Sequence, residues 1–370
     1  MKKRALLFSA FAAVLVLMSS CKKGEEEETE PQTPEIQISA GSMHTLVLKA
    51  DNTLWTCGEN SSGQLGDGTT TDRTSLVKIT DNVKSMGGGL EHTLVLKNDN
   101  TLWACGANED GQLGDGTTID RKSLVKITDN VKSVSAGNFH TLVLKNDNTL
   151  WACGSNSAGQ LGDGTRTDRT SLVKIIGNVK SMGGGLEHTL VLKNDNTLWA
   201  CGANYFGQLG DGTKADRTSL VKVTDNVKSV SVGQYHTIVL KTDNTLWSCG
   251  LNVYGQLNDG TTISKASLIK ITDNVKSMSV GYFNTLVLKN DNTFWACGWN
   301  FAGQIGDGTK TNRTSLVKIT DNVKSMSAGE DHIIVLKGDE TLWTCGSNAF
   351  GQLGDGTTTQ RTTLTKIPLP

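Results

Sequence analysis

The side chains in this chain that could do chemistry recur at a single spacing. Cysteine stands at 57, 105, 153, 201, 249, 297 and 345, and histidine at 44, 92, 140, 188, 236 and 332. Aspartate follows in Asp-Gly-Thr at 67, 115, 163, 211, 259, 307 and 355, and every set steps by 48 residues. Asn284 occupies the place of a seventh histidine. Such sets could bind metal, form disulfides or supply nucleophiles and bases. Equivalent atoms in stacked β-units, however, lie about 10 Å apart, the face-to-face spacing of sheets, which no disulfide spans. The repeat cysteines number seven, an odd count, and lack a Cys-x-x-Cys pair for zinc, so they read as small buried hydrophobes. No Asp or Ser sits at fixed hydrogen-bonding spacing from the histidines, so each reads as a residue that ties a turn. Asn284 suits that role, because an amide also donates and accepts. Asp-Gly explains a turn without a ligand and lacks the alternating carboxylates of a calcium loop. No phosphate loop and no nucleophile–base arrangement is present, so neither catalysis, cofactor nor metal is expected.

The same period describes the elements that must position these residues. Tryptophan recurs at 55, 103, 151, 199, 247, 295 and 343, so residues 36–370 hold seven copies of one 48-residue unit. Four short strands are expected per unit; in the second they are 83–86, 93–97, 101–105 and 123–127. Thr93-Leu94-Val95-Leu96 does not alternate with polar residues, so both faces of that strand must be buried. Four-stranded units that need a neighbour on each side predict an all-β, closed, seven-bladed β-propeller.

The repeated run Gly-x-x-His-Thr-Leu-Val-Leu-Lys-x-Asp-Asn-Thr-Leu-Trp-x-Cys-Gly-x-Asn-x-x-Gly-Gln-Leu-Gly-Asp-Gly resembles the repeat of the regulator of chromosome condensation family. The resemblance covers residues 36–370 and implies a seven-bladed propeller. It departs from the family where a cysteine replaces a second aromatic and where the proline before the last strand is missing. The three-residue Thr-Asp-Asn link between copies suits adjacent antiparallel strands. On that reading the last strand, 363–367, completes the blade begun by 36–38, and the termini are neighbours.

Differences among the copies carry more information than their likeness. Two windows vary: the pair between Gly and His, and the residues around the Asn after Cys-Gly. Outside the framework tryptophans and the first 20 residues there are eleven aromatics, and ten fall in these windows. They are Phe139, Tyr205, Phe206, Tyr235, Tyr254, Tyr282, Phe283, Trp299, Phe301 and Phe350; the exception, Phe294, replaces a framework leucine. Eight of the ten belong to copies four to six, whereas copies two and seven carry Glu91, Glu109, Asp110, Glu330 and Asp331. In an up-and-down blade both windows emerge at one end, so the aromatics form an arc on one face. Aromatic loops on a rigid scaffold suit partner binding.

The N-terminus bears on where such a surface would work. Lys2, Lys3 and Arg4 precede an apolar stretch ending Leu17-Met18-Ser19-Ser20-Cys21, which resembles a bacterial lipobox. Residues 1–20 then form a lipoprotein signal peptide, Cys21 carries the lipid, and 21–35 is an acidic, disordered tether. The chain as a whole is −1 and lacks a basic field for nucleic acid. The expectation is a monomeric, surface-anchored propeller of the bacterial outer membrane or cell surface that recognises an extracellular protein. A glycan ligand, or a structural role with no ligand, are the alternatives. The nucleotide exchange implied by nuclear members of the family fits poorly with a signal peptide.

Overall fold

The structure is a computed structural model and describes residues 35–369. The signal peptide, Cys21 and nearly all of the tether lie outside the described residues. Twenty-eight strands form seven four-stranded antiparallel sheets, each built from four consecutive strands. In the first blade they are Gln37–Ala40, His44–Leu48, Leu54–Gly58 and Arg73–Thr80. In the second they are Val83–Gly88, His92–Lys97, Leu102–Gly106 and Arg121–Thr128, close to the expected bounds. The first strands of neighbouring blades face one another around a central channel of about 250 Å³.

Burial explains the non-alternating second strand. His44–Leu48 is buried throughout, because each blade is covered on both faces by others. Leu46, Leu48 and Leu54 of the first blade pack with Val83 and Val95 of the second, where Trp103 and Leu124 close the cluster. Each such leucine contributes about 1.5–3 kcal/mol by leaving water, so no blade is stable without its neighbour. The first and last strands of the propeller are adjacent: Ile36 and Ile367 share a cluster with Val47, Ile334, Leu336 and Leu342.

Ring closure differs from the hairpin expected of the Thr-Asp-Asn link. Arg361–Ile367 pairs only with Leu342–Gly346, so the C-terminal strand completes its own blade and not the first one. The link steps between blades instead. Asn82, at φ 60°, turns the chain out of the ladder, and Val83 N donates to Asn52 O in the preceding blade. Asn and Asp tolerate this left-handed conformation better than other non-glycine residues. Two register shifts where Leu54–Gly58 meets Arg73–Thr80 add twist to the outer strand and carry its end toward the next blade. The seam between blades seven and one is closed without exchange of a strand. Ala40 N bonds Ser327 Oγ at 2.9 Å, and Glu330 N bonds Ser42 O at 3.0 Å.

Candidate binding face

Both variable windows lie at one end of the ring because the backbone joins them. The residue after Cys-Gly donates its N–H to the carbonyl of the residue before the histidine in every blade: Glu59 to Met43, Ala107 to Glu91, Ser155 to Phe139, Ala203 to Glu187, Leu251 to Tyr235, Trp299 to Phe283 and Ser347 to Asp331. Gly58 permits this approach. Its φ is +109°, and a Cβ there would stand 2.5 Å from Met43 O.

The constant residues inside the second window hold its loop rigid. Asn60 Nδ2 donates to Asp67, Thr69 and Thr71, while its Oδ1 accepts from Leu65 N at 3.0 Å. Asp67 in turn holds Arg73, with Nη2 at 2.6 Å. Burial raises the Asp67 carboxyl, but hydrogen bonds from Thr69 and Arg73 outweigh it and leave the pKa lowered. Copy five keeps the arrangement with Lys265 on Asp259 at 3.3 Å. Among the described residues no cluster of His, Cys, Asp and Glu is arranged to hold a metal ion.

Beneath the loops runs a buried belt. Nε2 of His44, His92, His140, His188, His236 and His332 lies 2.9–3.2 Å from a threonine hydroxyl of the following blade, and His332 reaches Thr45 across the closure. Each of those threonines donates its only proton to a glutamine carbonyl of the preceding blade at 2.6–2.8 Å. The hydroxyl must therefore accept from Nε2–H, which sets the tautomer. Burial lowers the pKa of His44 to about 4 and of the other five to about 3, so all are neutral at pH 7. The histidines thus clamp blade to blade, beyond tying their own turn. The seven repeat cysteines are buried, with Sγ 3.5–3.9 Å from glutamine carbonyls, six of them the same ones and Cys345 beside Gln304, and burial pushes the thiols of Cys57 and Cys105 up to about 12.

One seam departs from the belt. Asn284 stands opposite Ile333, which replaces the threonine, and both polar atoms of the buried Asn284 side chain lack a hydrogen-bond partner. The expectation that the amide would substitute for histidine fails because its acceptor is also gone and its side chain is shorter.

On the face itself, ring contacts among the described residues join Tyr205, Phe206, Tyr235, Tyr254, Tyr282, Phe283 and Trp299 into one continuous group. Edge-to-face pairs such as Phe206–Tyr235 (5.3 Å) and Tyr254–Phe283 (5.2 Å) alternate with the stacked pair Tyr254–Trp299 (5.4 Å, 17°). Tyr282 leans over the channel mouth from blade six and accepts a hydrogen bond from Asn138 Nδ2 of blade three at 2.8 Å. Burial, with Glu330 and Glu91 nearby, pushes its phenol pKa up. Phe139, Phe301 and Phe350 lie outside this group. Tyr205, Val253 and Phe301 occupy equivalent loop tips in blades four, five and six, exposed at 43, 50 and 72%. The arc therefore has a half-buried aromatic floor and a row of exposed apolar tips. Counting aromatics alone overlooked Val253; alignment of the copies shows it in the same column as Tyr205 and Phe301.

A ring of seven four-stranded blades, clamped by a buried belt and variable only at one mouth, defines a propeller of the binding-scaffold type. The family model described as the RCC1-like domain matches residues 17–269, and the RCC1 repeat model matches 275–304 and 323–352. The chain belongs to the RCC1-like family, a type of propeller used as a protein-interaction module. Human WBSCR16 is similar in fold, with a TM-score of 0.78 and 20% identity over 86% of this chain and 94% of that one. Yeast RCC1 (Prp20), solved bound to Kap60, gives 0.78 and 18% over 96% and 91%. Prp20p from Saccharomyces cerevisiae, whose structure was described with its binding properties to Gsp1p and histones, gives 0.77 and 20% over 88% of each chain. A search of curated proteins returned no match.

Proposed function

We propose that this protein is a surface-anchored binding module that recognises an extracellular protein through the aromatic loop face. The observation that carries the reading is the row of exposed tips, Tyr205, Val253 and Phe301, above a floor of packed rings. Seven nearly identical blades would be expected to end in nearly identical loops, and three consecutive ones end in large apolar side chains. Exposed apolar patches on a rigid scaffold mark interaction sites. The floor fixes the orientation of the face before contact, which lowers the entropy lost on binding. The yeast propeller of the same fold binds protein partners, which favours a protein over a glycan. The lipobox-like segment ending at Cys21 supports anchorage at the bacterial cell surface or outer membrane.

The test is capture from extracellular protein and polysaccharide extracts by the full chain, beside a Tyr205→Ala/Phe301→Ala variant. The expected result is one protein species lost with the variant while circular dichroism is unchanged. Equal capture by both forms removes the function from this face, and capture of polysaccharide alone transfers it to a glycan.

A further inference from the structure

The mouth is charged as asymmetrically as it is apolar. In blades seven, one and two the loops that form it are 329–331, 347–360, 41–43, 59–72, 89–91 and 107–120, and they contain no Lys, Arg or His. They carry Glu59, Glu91, Glu109, Asp110, Glu330 and Asp331 in or beside the variable windows. Among the described residues none of these six acids forms an ion pair. The hydrogen bonds that their carboxylates accept come from neutral groups: Ser61 to Glu59, Ser62 to Glu91, Ser42 to Glu330 and Gln304 to Asp331. The arginines that begin the outer strands of these three blades, Arg361, Arg73 and Arg121, are bound to Asp355, Asp67 and Asp115. Lys122 stands beside Arg121 at the start of its outer strand. Like charge accumulates here: Glu91 and Glu330 both raise the pKa of Glu59, after burial, and Glu330 raises that of Asp331 in the same order. The other half of the mouth is the aromatic arc, whose one window acid, Glu187, accepts from the Tyr205 hydroxyl.

This inference rests on the reading that the loop face binds a protein. We propose that the docking segment of that protein is basic and amphipathic, its Lys or Arg side chains lying over blades seven, one and two and its apolar side chains against Tyr205, Val253 and Phe301. The six acids supply charge complementarity that no ion pair among the described residues neutralises, and the exposed tips supply the apolar contact. Tyr282 lies between the halves with its hydroxyl near Glu330 and Glu91. Complementary charge sets orientation and encounter rate, whereas the buried aromatic contact sets the lifetime of the complex.

The experiment is a selection of displayed random dodecapeptides on the full chain, in parallel with two charge-reversed forms and one tip variant. The charge-reversed forms are Glu91→Lys/Glu330→Lys and, on an exposed loop where folding is insulated, Glu109→Lys/Asp110→Lys. The tip variant is Tyr205→Ser/Phe301→Ser. Peptides recovered on the wild type are expected to be enriched in Lys and Arg about threefold over the unselected pool, with large apolar residues nearby. Their affinity falls about tenfold on raising salt from low to half-molar, and by a similar factor on the charge-reversed forms. Enrichment of neutral or acidic peptides that bind the wild type but not the tip variant overturns the basic partner and leaves the loop-face reading standing. Peptides that bind wild type, charge-reversed forms and tip variant alike overturn both. Failure to enrich any sequence, or self-association of the chain that charge reversal abolishes, also overturns the basic partner.

Discussion

Tyr235 and His236 are consecutive in the chain, yet one belongs to the loop face and the other to the belt beneath it. His236 is buried and bonded to Thr285 of the next blade at 3.1 Å; five other copies hold the same histidine, and the one change, to Asn284 in the sixth copy, coincides with loss of its partner at Ile333. At the position of Tyr235 the copies read Met43, Glu91, Phe139, Glu187, Tyr235, Phe283 and Asp331. The backbone is the same in both places. What differs is that the belt must satisfy a buried polar pair across a seam, where an unpaired group costs about 1–3 kcal/mol. At the face the contacts differ from copy to copy: Glu91 accepts from Ser62, Asp331 from Gln304, and Tyr235 packs on Phe206. Constancy among the copies therefore reports buried hydrogen bonding, and diversity reports freedom to meet something outside.

The largest effect that can break this comparison is acid. A histidine whose folded pKa lies below its unfolded value of about 6.5 contributes stability that is full above that pH and is lost as pH falls toward the folded value. With His44 at about 4 and five others at about 3, that window runs from 6.5 downward. Each histidine costs about 1.4 kcal/mol per pH unit there, so the ring is expected to unfold cooperatively before pH 4 is reached. Circular dichroism through a pH titration measures it, and a ring still folded at pH 4 would contradict a buried, neutral belt.

A smaller effect sharpens the exception. Restoring the pair with Asn284→His and Ile333→Thr is expected to stabilise the ring by about 1–2 kcal/mol, and Asn284→His alone by less, because the single change has no acceptor. Denaturant melts of the four forms give the coupling; strict additivity would mean that the seam does not use this bond.

The smallest belongs to the face. Asp331 is pushed up to about 6 by burial and by Glu330. Its folded pKa lies above the unfolded one, so its charge costs stability as pH rises from about 4 through 6. Asp331→Asn is expected to stabilise the fold at pH 7 by about 1 kcal/mol after allowance for solvent screening, with the gain gone below pH 4. An equal gain at both pH values would assign the effect to packing.

Much of the fold was legible because repetition exposes it. A period of 48 residues and a second strand with no polar face state the blade count and the four strands per unit before any coordinates are known. The two variable windows and their common face follow from counting strands. The belt was not legible, because five of the histidines meet a threonine 49 residues away in the next copy and His332 meets Thr45 across the closure, so inspection within one repeat finds no partner. Val253 lies in the second variable window but, being aliphatic, stayed outside the count of aromatics, and the reach of Tyr282 to Asn138, 144 residues away, has no local signature.

By itself the sequence determined the units: four strands, an apolar sandwich strand, Asp-Gly turns and where the copies diverge. Those depend on contacts inside a repeat or between identical neighbours, which one copy suffices to specify. Only the tertiary structure decided how the ring closes, which aromatics lie in the floor and which stand at the tips, and that the acids of blades seven, one and two gather around one half of the mouth. Each depends on residues that only the closed ring brings together, and the length of the turn at Asn82 does not reveal which blade the chain will enter next.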